Sequence, residues 1–323
     1  MQIAEIQALT QKIKENMEKV VVGKSDKINL ILAALLAKGH VLLEDVPGTG
    51  KTVLAKSLAK SLDTKFKRIQ FTPDLLPSDL IGINYYNQKE SEFVFREGAL
   101  FTNVLLADEI NRATPRTQSS LLESMEEKQI TVDGHTYVLE QPFFVIATEN
   151  PVETQGTFPL PEAQLDRFLM QLSMGYTEKQ DTLEILRRFV NEVPAEAVEP
   201  VCTREQLLEM QESVKQVTIH PDIAAYTVDI VDKTRTADSV QLGVSPRGNL
   251  ALLKTAQALA AIQGRSYVIP DDIKALAVPV LGHRIILRGS QRNKSTQIET
   301  LIQDILESVE VPTEEWKLSK QEG

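Results

Sequence analysis

The segment Asp45-Val46-Pro47-Gly48-Thr49-Gly50-Lys51-Thr52 lies between a short apolar run, Val41 to Leu43, and a helical pattern from Val53 to Leu62. It restricts the fold of this chain more than any other stretch. Glycines at 48 and 50 let backbone N–H groups converge on an anion at the positive end of the following helix. Lys51 is placed to reach β- and γ-phosphate oxygens, and the Thr52 hydroxyl to ligate Mg²⁺. The general pattern asks for glycine where Asp45 stands, a departure at one position.

A loop of this kind needs a parallel sheet behind it, and two further apolar runs supply strands, Val104 to Ala107 and Phe143 to Ala147. Ligands of such sheets bind beyond the C-terminal ends of the strands, so the next residues are the ones that matter. After the first run stand Asp108 and Glu109. Asp108 suits holding Mg²⁺ through its waters, and Glu109 suits orienting and polarising an attacking water. After the other run stands Thr148-Glu149-Asn150-Pro151. The Asn150 amide suits contact with a γ-phosphate and the nucleophilic water, although Asn before Pro is also ordinary turn chemistry.

Phosphoryl transfer also calls for positive charge, and an arginine supplied in trans meets that need. Arg167 and Arg247 are the leading candidates, with Arg112 and Arg116 as alternatives near the acid pair. Arg247 lies in a predicted first helical turn, where the helix dipole disfavours a cation and an anionic partner would explain it. Surface salt bridges are the ordinary alternative for both.

The rest of the chain organises around this site. Ile3, Ile6, Leu9, Ile13, Met17 and Val20 predict an amphipathic helix, and Ile28 to Ala37 a buried one ending near Lys38-Gly39, with glycine in the left-handed position. Asp133-Gly134 between Ile130–Val132 and Tyr137–Leu139 predicts a type I′ hairpin. Ile83–Tyr86 and Phe93–Phe95 predict a looser one. After Leu172 the pattern becomes helical: Thr203 with Gln206 reads as a capping box, and Pro246 and Pro270 as first-turn prolines. The domain boundary is expected near Val193 to Cys202.

The composition narrows the function. Lys and Arg number 35 against 45 Asp and Glu, a net charge of −10, which argues against a nucleic-acid backbone as partner. One cysteine, Cys202, excludes an intrachain disulfide, and the four histidines lack metal-ligand spacing. No apolar run is long enough to span a bilayer and no signal peptide opens the chain, so no membrane insertion and a cytoplasmic location are expected.

With these pieces in order the chain resembles the AAA+ ATPases, and within them the MoxR family of the branch that carries an insert in its second helix. The segments behind the resemblance are Val22-Gly23-Lys24, Leu43 to Thr52, Ala107-Asp108-Glu109-Ile110-Asn111-Arg112-Ala113, Ala147 to Pro151, Leu160 to Phe168, Ser245-Pro246-Arg247 and Leu281-Gly282-His283-Arg284. The resemblance implies an α/β P-loop core with a parallel five-stranded sheet over residues 1–192, and a C-terminal all-α lid over 193–323. The insert would span about 72–98 and a second hairpin, before the strand carrying Asn150, about 129–141.

On the same grounds nucleotide would lie between core and lid, in a ring that is usually a hexamer. Val21, Val22 and Gly23 would lie against the adenine, and Pro47, Gly48, Thr49, Gly50, Lys51, Thr52, Val53 and Asp108 around the phosphates, with Mg²⁺ on Thr52 and Asp108. Arg167 would be the arginine finger and Arg247 the lid's sensor. ATP hydrolysis would serve chaperone-like maturation of a protein client, with a von Willebrand factor A domain protein as partner. A metal-chelatase motor and a slow, nucleotide-gated scaffold are the competing functions. The hairpin aromatic residues Tyr85, Tyr86, Phe93 and Phe95 would either face substrate or pack on one another.

Overall fold

The computed structural model describes residues 1–44, 48–150, 156–190, 197–289 and 294–312. Two helices come first, α1 (Ile3–Glu18) and α2 (Ser25–Leu36). The face of α1 that carries Ile6, Ile13 and Met17 is buried, as its periodicity predicts. The end of α2 departs from expectation, because Lys38 takes the left-handed conformation (φ 57°) instead of Gly39. Gly39 serves close approach: a Cβ there would stand 2.4 Å from the Leu169 side chain.

Next come β1 (Val41–Glu44) and α3 (Lys51–Ser61), flanking the phosphate loop; of that loop Asp45, Val46 and Pro47 lie outside the described residues. The chain continues through β2 (Phe66–Gln70), α4 (Pro77–Ile81), β3 (Ile83–Asn87), β4 (Glu92–Arg96), β5 (Val104–Asp108) and α5 (Pro115–Glu127). Then follow β6 (Gln129–Val132), β7 (His135–Val138), β8 (Phe144–Glu149), α6 (Glu162–Leu165), β9 (Met170–Leu172) and α7 (Lys179–Phe189).

Five strands form one parallel sheet in the order β2-β5-β8-β1-β9. The inner strands β5, β8 and β1 are buried almost throughout, which is why they read as continuous apolar runs. Their register brings Gln70 opposite Asp108 and Glu44 opposite Glu149, so four strands end at one level. Below this edge His40 acts as a strut. Its Nδ1 accepts from the Val145 N–H at 3.0 Å and its Nε2–H donates to the Met125 carbonyl at 3.2 Å. Burial holds its pKa down to about 4, so it stays neutral.

The two expected hairpins are present and touch. Asp133 and Gly134 both have positive φ (50° and 80°), as the I′ turn requires. Phe95 stacks on Tyr137 at 4.2 Å and Asn84 donates to Asp133 at 2.8 Å, tying β3–β4 to β6–β7. Phe95 is thus a packing residue, whereas Phe93 is 74% and Val138 76% exposed.

Beyond residue 196 the chain is mainly helical: α8 (Arg204–Ser213), α9 (Pro221–Thr236), β10 (Val240–Leu242), α10 (Pro246–Ile262), α11 (Pro270–Leu281), β11 (Ile286–Leu287) and α12 (Lys294–Ser308). The Thr203–Gln206 capping box forms as predicted. β10 and β11 add a small antiparallel ribbon to the helices, a pairing too short to leave a pattern in the sequence. The hydrophobic core runs without a break from Val41 and Leu43 through α1 and α2 to α10 and α11. Of the expected boundary, Val193 to Cys202, residues 193–196 lie outside the described residues.

Candidate active site

Gly48 and Gly50 both adopt left-handed φ (87° and 86°) with open space where a Cβ would stand, so it is the backbone conformation that needs glycine here. Gly50 is the N-cap of α3, and Lys51 and Thr52 open that helix. A cavity of about 400 Å³ at this helix end is lined by Gly48, Thr49, Gly50, Lys51, Thr52, Val53, Asp108, Glu109 and Asn150. Nine of the residues marked in the sequence therefore share one wall. A neighbouring cavity of about 240 Å³ shares Gly48 to Gly50 and Val53, and is closed by Val20, Val21, Val22, Lys24, Tyr176, Thr177 and Ile185. One polar compartment beside one apolar compartment matches triphosphate and base.

The acid pair is held by a residue the sequence reading quoted without giving it a role. Fully buried Thr148 donates its hydroxyl to Asp108 Oδ1 at 2.7 Å and accepts from the Glu109 N–H at 2.8 Å. Glu109 itself is in the left-handed region (φ 55°), a strained conformation for a non-glycine residue. Arg68 Nη2 donates to Asp108 Oδ2 at 2.7 Å, while Gln70 (2.8 Å) and Arg112 (3.0 Å) donate to Glu109 Oε2. Arg112 is thus a partner of the acid pair, and Arg68 and Gln70 are additions to the cavity wall. Residues 66, 68 and 70 share one face of β2 by strand alternation, and that is the signal that could have found them.

The apolar compartment is closed by Lys24, whose buried ammonium donates to the carbonyls of Met174 (2.6 Å), Gly175 (3.1 Å) and Tyr176 (3.1 Å). Gly23, between two wall residues, has φ 68°, and a Cβ on it would stand 2.1 Å from Asp181 Oδ2. At the sheet edge Glu44 accepts from Gln171 at 2.7 Å. Burial, and then the Glu44 charge, pushes the Glu149 carboxyl up to about 7.

The two arginines proposed for transfer are not in these cavities. Arg167 Nε lies 3.2 Å from Glu126 Oε2, and Arg247 Nη2 lies 2.8 Å from Glu126 Oε1. No described residue beyond Ile185 lines either cavity. The walls of the apolar cavity come from the α1–α2 link, the loop before α3, and the segment from Gly175 to Ile185 after β9. The lid does reach the Arg167 segment by another route. Buried Arg284 pairs with Asp166 at 2.6 Å and donates to the Phe168 carbonyl at 2.7 Å. Pro151 lies outside the described residues.

A parallel sheet, a glycine loop at a helix end and an acid pair on the next strand but one together define a P-loop ATPase. The comparisons agree. Residues 40–170 match the model "ATPase family associated with various cellular activities (AAA)", and residues 232–305 match the AAA lid domain. The chain is 53% identical to the uncharacterized protein YeaC of Bacillus subtilis (96% of this chain, 97% of that one). It is 39% identical to chaperone MoxR1 of Mycobacterium tuberculosis (96% of this chain, 84% of that one). A crystal structure from Cytophaga hutchinsonii, assigned as an ATPase, superposes with TM-score 0.89 at 39% identity, covering 96% of this chain and 97% of that one. The chain belongs to the MoxR family of AAA ATPases.

Proposed function

We propose that this chain is a Mg²⁺-dependent ATPase that works as a ring of identical subunits, usually six, and couples hydrolysis to the remodelling or maturation of a protein client. The observation that carries this reading is the division of the charged groups. The acid pair and Lys51 line the phosphate cavity of their own subunit, whereas Arg167 and Arg247 meet outside it on Glu126.

Gly48 to Val53 hold the triphosphate, with Lys51 neutralising β and γ oxygens; Val21 and Val22 form part of the base wall, and Gly23 sets the turn between Val22 and Lys24. The Thr52 hydroxyl and Asp108 carboxylate are hard oxygen donors suited to Mg²⁺, which when bound neutralises charge on the same phosphates. Glu109 orients and polarises the attacking water, and the Asn150 amide holds the water and γ-phosphate in line. Arg167, as finger, and Arg247, as lid sensor, act on the nucleotide of a neighbouring copy.

The division into core (1–192) and lid (193–323) is part of this proposal, and the lid match at 232–305 supports it. The client, in our reading a von Willebrand factor A domain protein, would meet the exposed Tyr86 and Phe93 of β3–β4. Nucleic acid is disfavoured by the net charge of −10. Among the described residues no helix is long and apolar enough to cross a membrane, and the proposed site of action is the cytoplasm.

The test is steady-state ATPase activity of wild type and Glu109→Gln across protein concentration, with molar mass by light scattering on the same samples. Specific activity should rise with mass and vanish in the variant. Activity that is independent of assembly refutes the trans arginines; an ATP-bound ring without turnover shows a nucleotide-gated scaffold instead.

A further inference from the structure

Glu126 stands at an unfavourable place for its charge. It lies in the last turn of α5, where the helix carries partial negative charge and no basic residue offsets it. Arg247 has the mirror problem in the first turn of α10. The two ends meet at 2.8 Å, and the second oxygen of the same carboxylate takes Arg167. Two guanidinium groups gathered this closely repel each other unless a carboxylate lies between them. The backbone on both sides of Arg167 is fixed separately, by Arg284 donating to the Asp166 carbonyl at 3.3 Å and to the Phe168 carbonyl at 2.7 Å. What is left to set is the Arg167 side chain, and its partner is Glu126. All three groups remain within reach of an approaching molecule, with 37% of Glu126, 30% of Arg167 and 49% of Arg247 exposed.

We infer that Glu126 is a positioning residue that joins the core-borne Arg167 and the lid-borne Arg247 into one pair, so that both reach the same neighbouring phosphates together. The inference rests on the trans reading of these arginines and goes beyond it by naming the group that couples them. It makes the lid's placement a condition for the finger's placement. An exposed pair of this kind is weak enough for a polyphosphate to take over the arginines when a neighbour docks.

The experiment uses full-length assembled protein, with molar mass checked for each variant. It measures kcat, KM for ATP and the binding of a fluorescent ATP analogue. Glu126→Gln should lower kcat roughly three- to tenfold and leave KM and analogue binding within about twofold. Glu126→Asp, which keeps the charge on a shorter arm, should recover part of that loss. In the Arg167→Ala/Arg247→Ala background, adding Glu126→Gln should change kcat no further. Full kcat in Glu126→Gln beside a defective Arg167→Ala overturns the positioning role and leaves the trans reading standing. An equal loss from Glu126→Gln with and without the arginines makes Glu126 a plain core–lid contact and overturns the proposal. Full kcat in both single arginine variants overturns the trans reading, and the positioning role with it.

Discussion

Replacing Thr148 by valine removes one hydroxyl from a fully buried position and leaves the shape of the side chain almost unchanged. Two hydrogen bonds go with it: the donor to Asp108 Oδ1 at 2.7 Å and the acceptor for the Glu109 N–H at 2.8 Å. A hydrogen bond to a charged group contributes about 1.5–3 kcal/mol, and a buried N–H left without a partner costs about 1–3 kcal/mol. The added methyl recovers under about 1 kcal/mol. The expected loss is therefore about 2–5 kcal/mol of stability. The effect on rate should be larger than the loss of one contact. Glu109 is held in a left-handed conformation that costs about 1–3 kcal/mol, and the Thr148 hydroxyl is part of what holds it there. If Glu109 orients the attacking water as proposed, its release moves the carboxylate away from that water, and a displacement of about 1 Å is worth about a hundredfold in kcat. Thr148→Ser keeps the hydroxyl and should stay within about 1 kcal/mol and threefold of wild type. Urea unfolding and ATP turnover at saturating nucleotide measure both quantities. A valine variant that loses the stability but keeps kcat within threefold would refute the argument, because the hydroxyl would then support the fold and not the acid pair.

Two other substitutions probe the same edge of the sheet. Gln70→Ala removes the 2.8 Å donor to Glu109 Oε2; an oxygen released from that bond is a better base, so turnover should rise about two- to threefold, and a fall would show that Gln70 aims Glu109 instead. The Glu149 carboxyl is raised to about 7 from 4.5, so between these values the folded state binds more protons than the unfolded one and stability declines as pH rises. Glu149→Gln should leave stability below pH 4.5 unchanged and add up to about 3 kcal/mol above pH 7, read from chemical denaturation across pH; the same slope in both proteins would remove Glu149 as its source.

The parts of this fold that could be read from the sequence are those buried on both sides. β5, β8 and the start of β1 are apolar because helices cover both faces, and such runs announce themselves. β2 and β9 are edge strands. β2 alternates Phe66, Lys67, Arg68, Ile69 and Gln70 with no residue fully buried, and β9 is three residues long, so neither stands out from loop. The same rule governs the site. Gly48, Lys51, Asp108 and Glu109 were legible because their spacing is tied to a local strand–loop–helix unit. Arg68, Gln70 and Glu126 were not, because their partners lie 40, 39 and as much as 121 residues away and meet only through the sheet order and the core–lid contact. Thr148 was read as part of a strand-end motif, and only the parallel pairing of β5 with β8 shows what its hydroxyl does. Gly39 shows the converse error: glycine after a helix suggests a left-handed cap, but here it makes room for Leu169.

The three carbonyls gathered by Lys24 belong to residues about 150 positions further along the chain. The apolar compartment proposed for the base therefore has no local precursor: before the strands have paired and β9 has docked, Val20 to Val22 have nothing opposite them. An adenine nucleotide bound as proposed would then bind only the completed core, and its binding energy would add to the stability of the whole sheet and not of one loop. At a free concentration of about a thousand times its dissociation constant that coupling is worth about 4 kcal/mol. Nucleotide saturation in the cell would thus act as a folding ligand, and a chain emptied of nucleotide would be the one open to proteolysis.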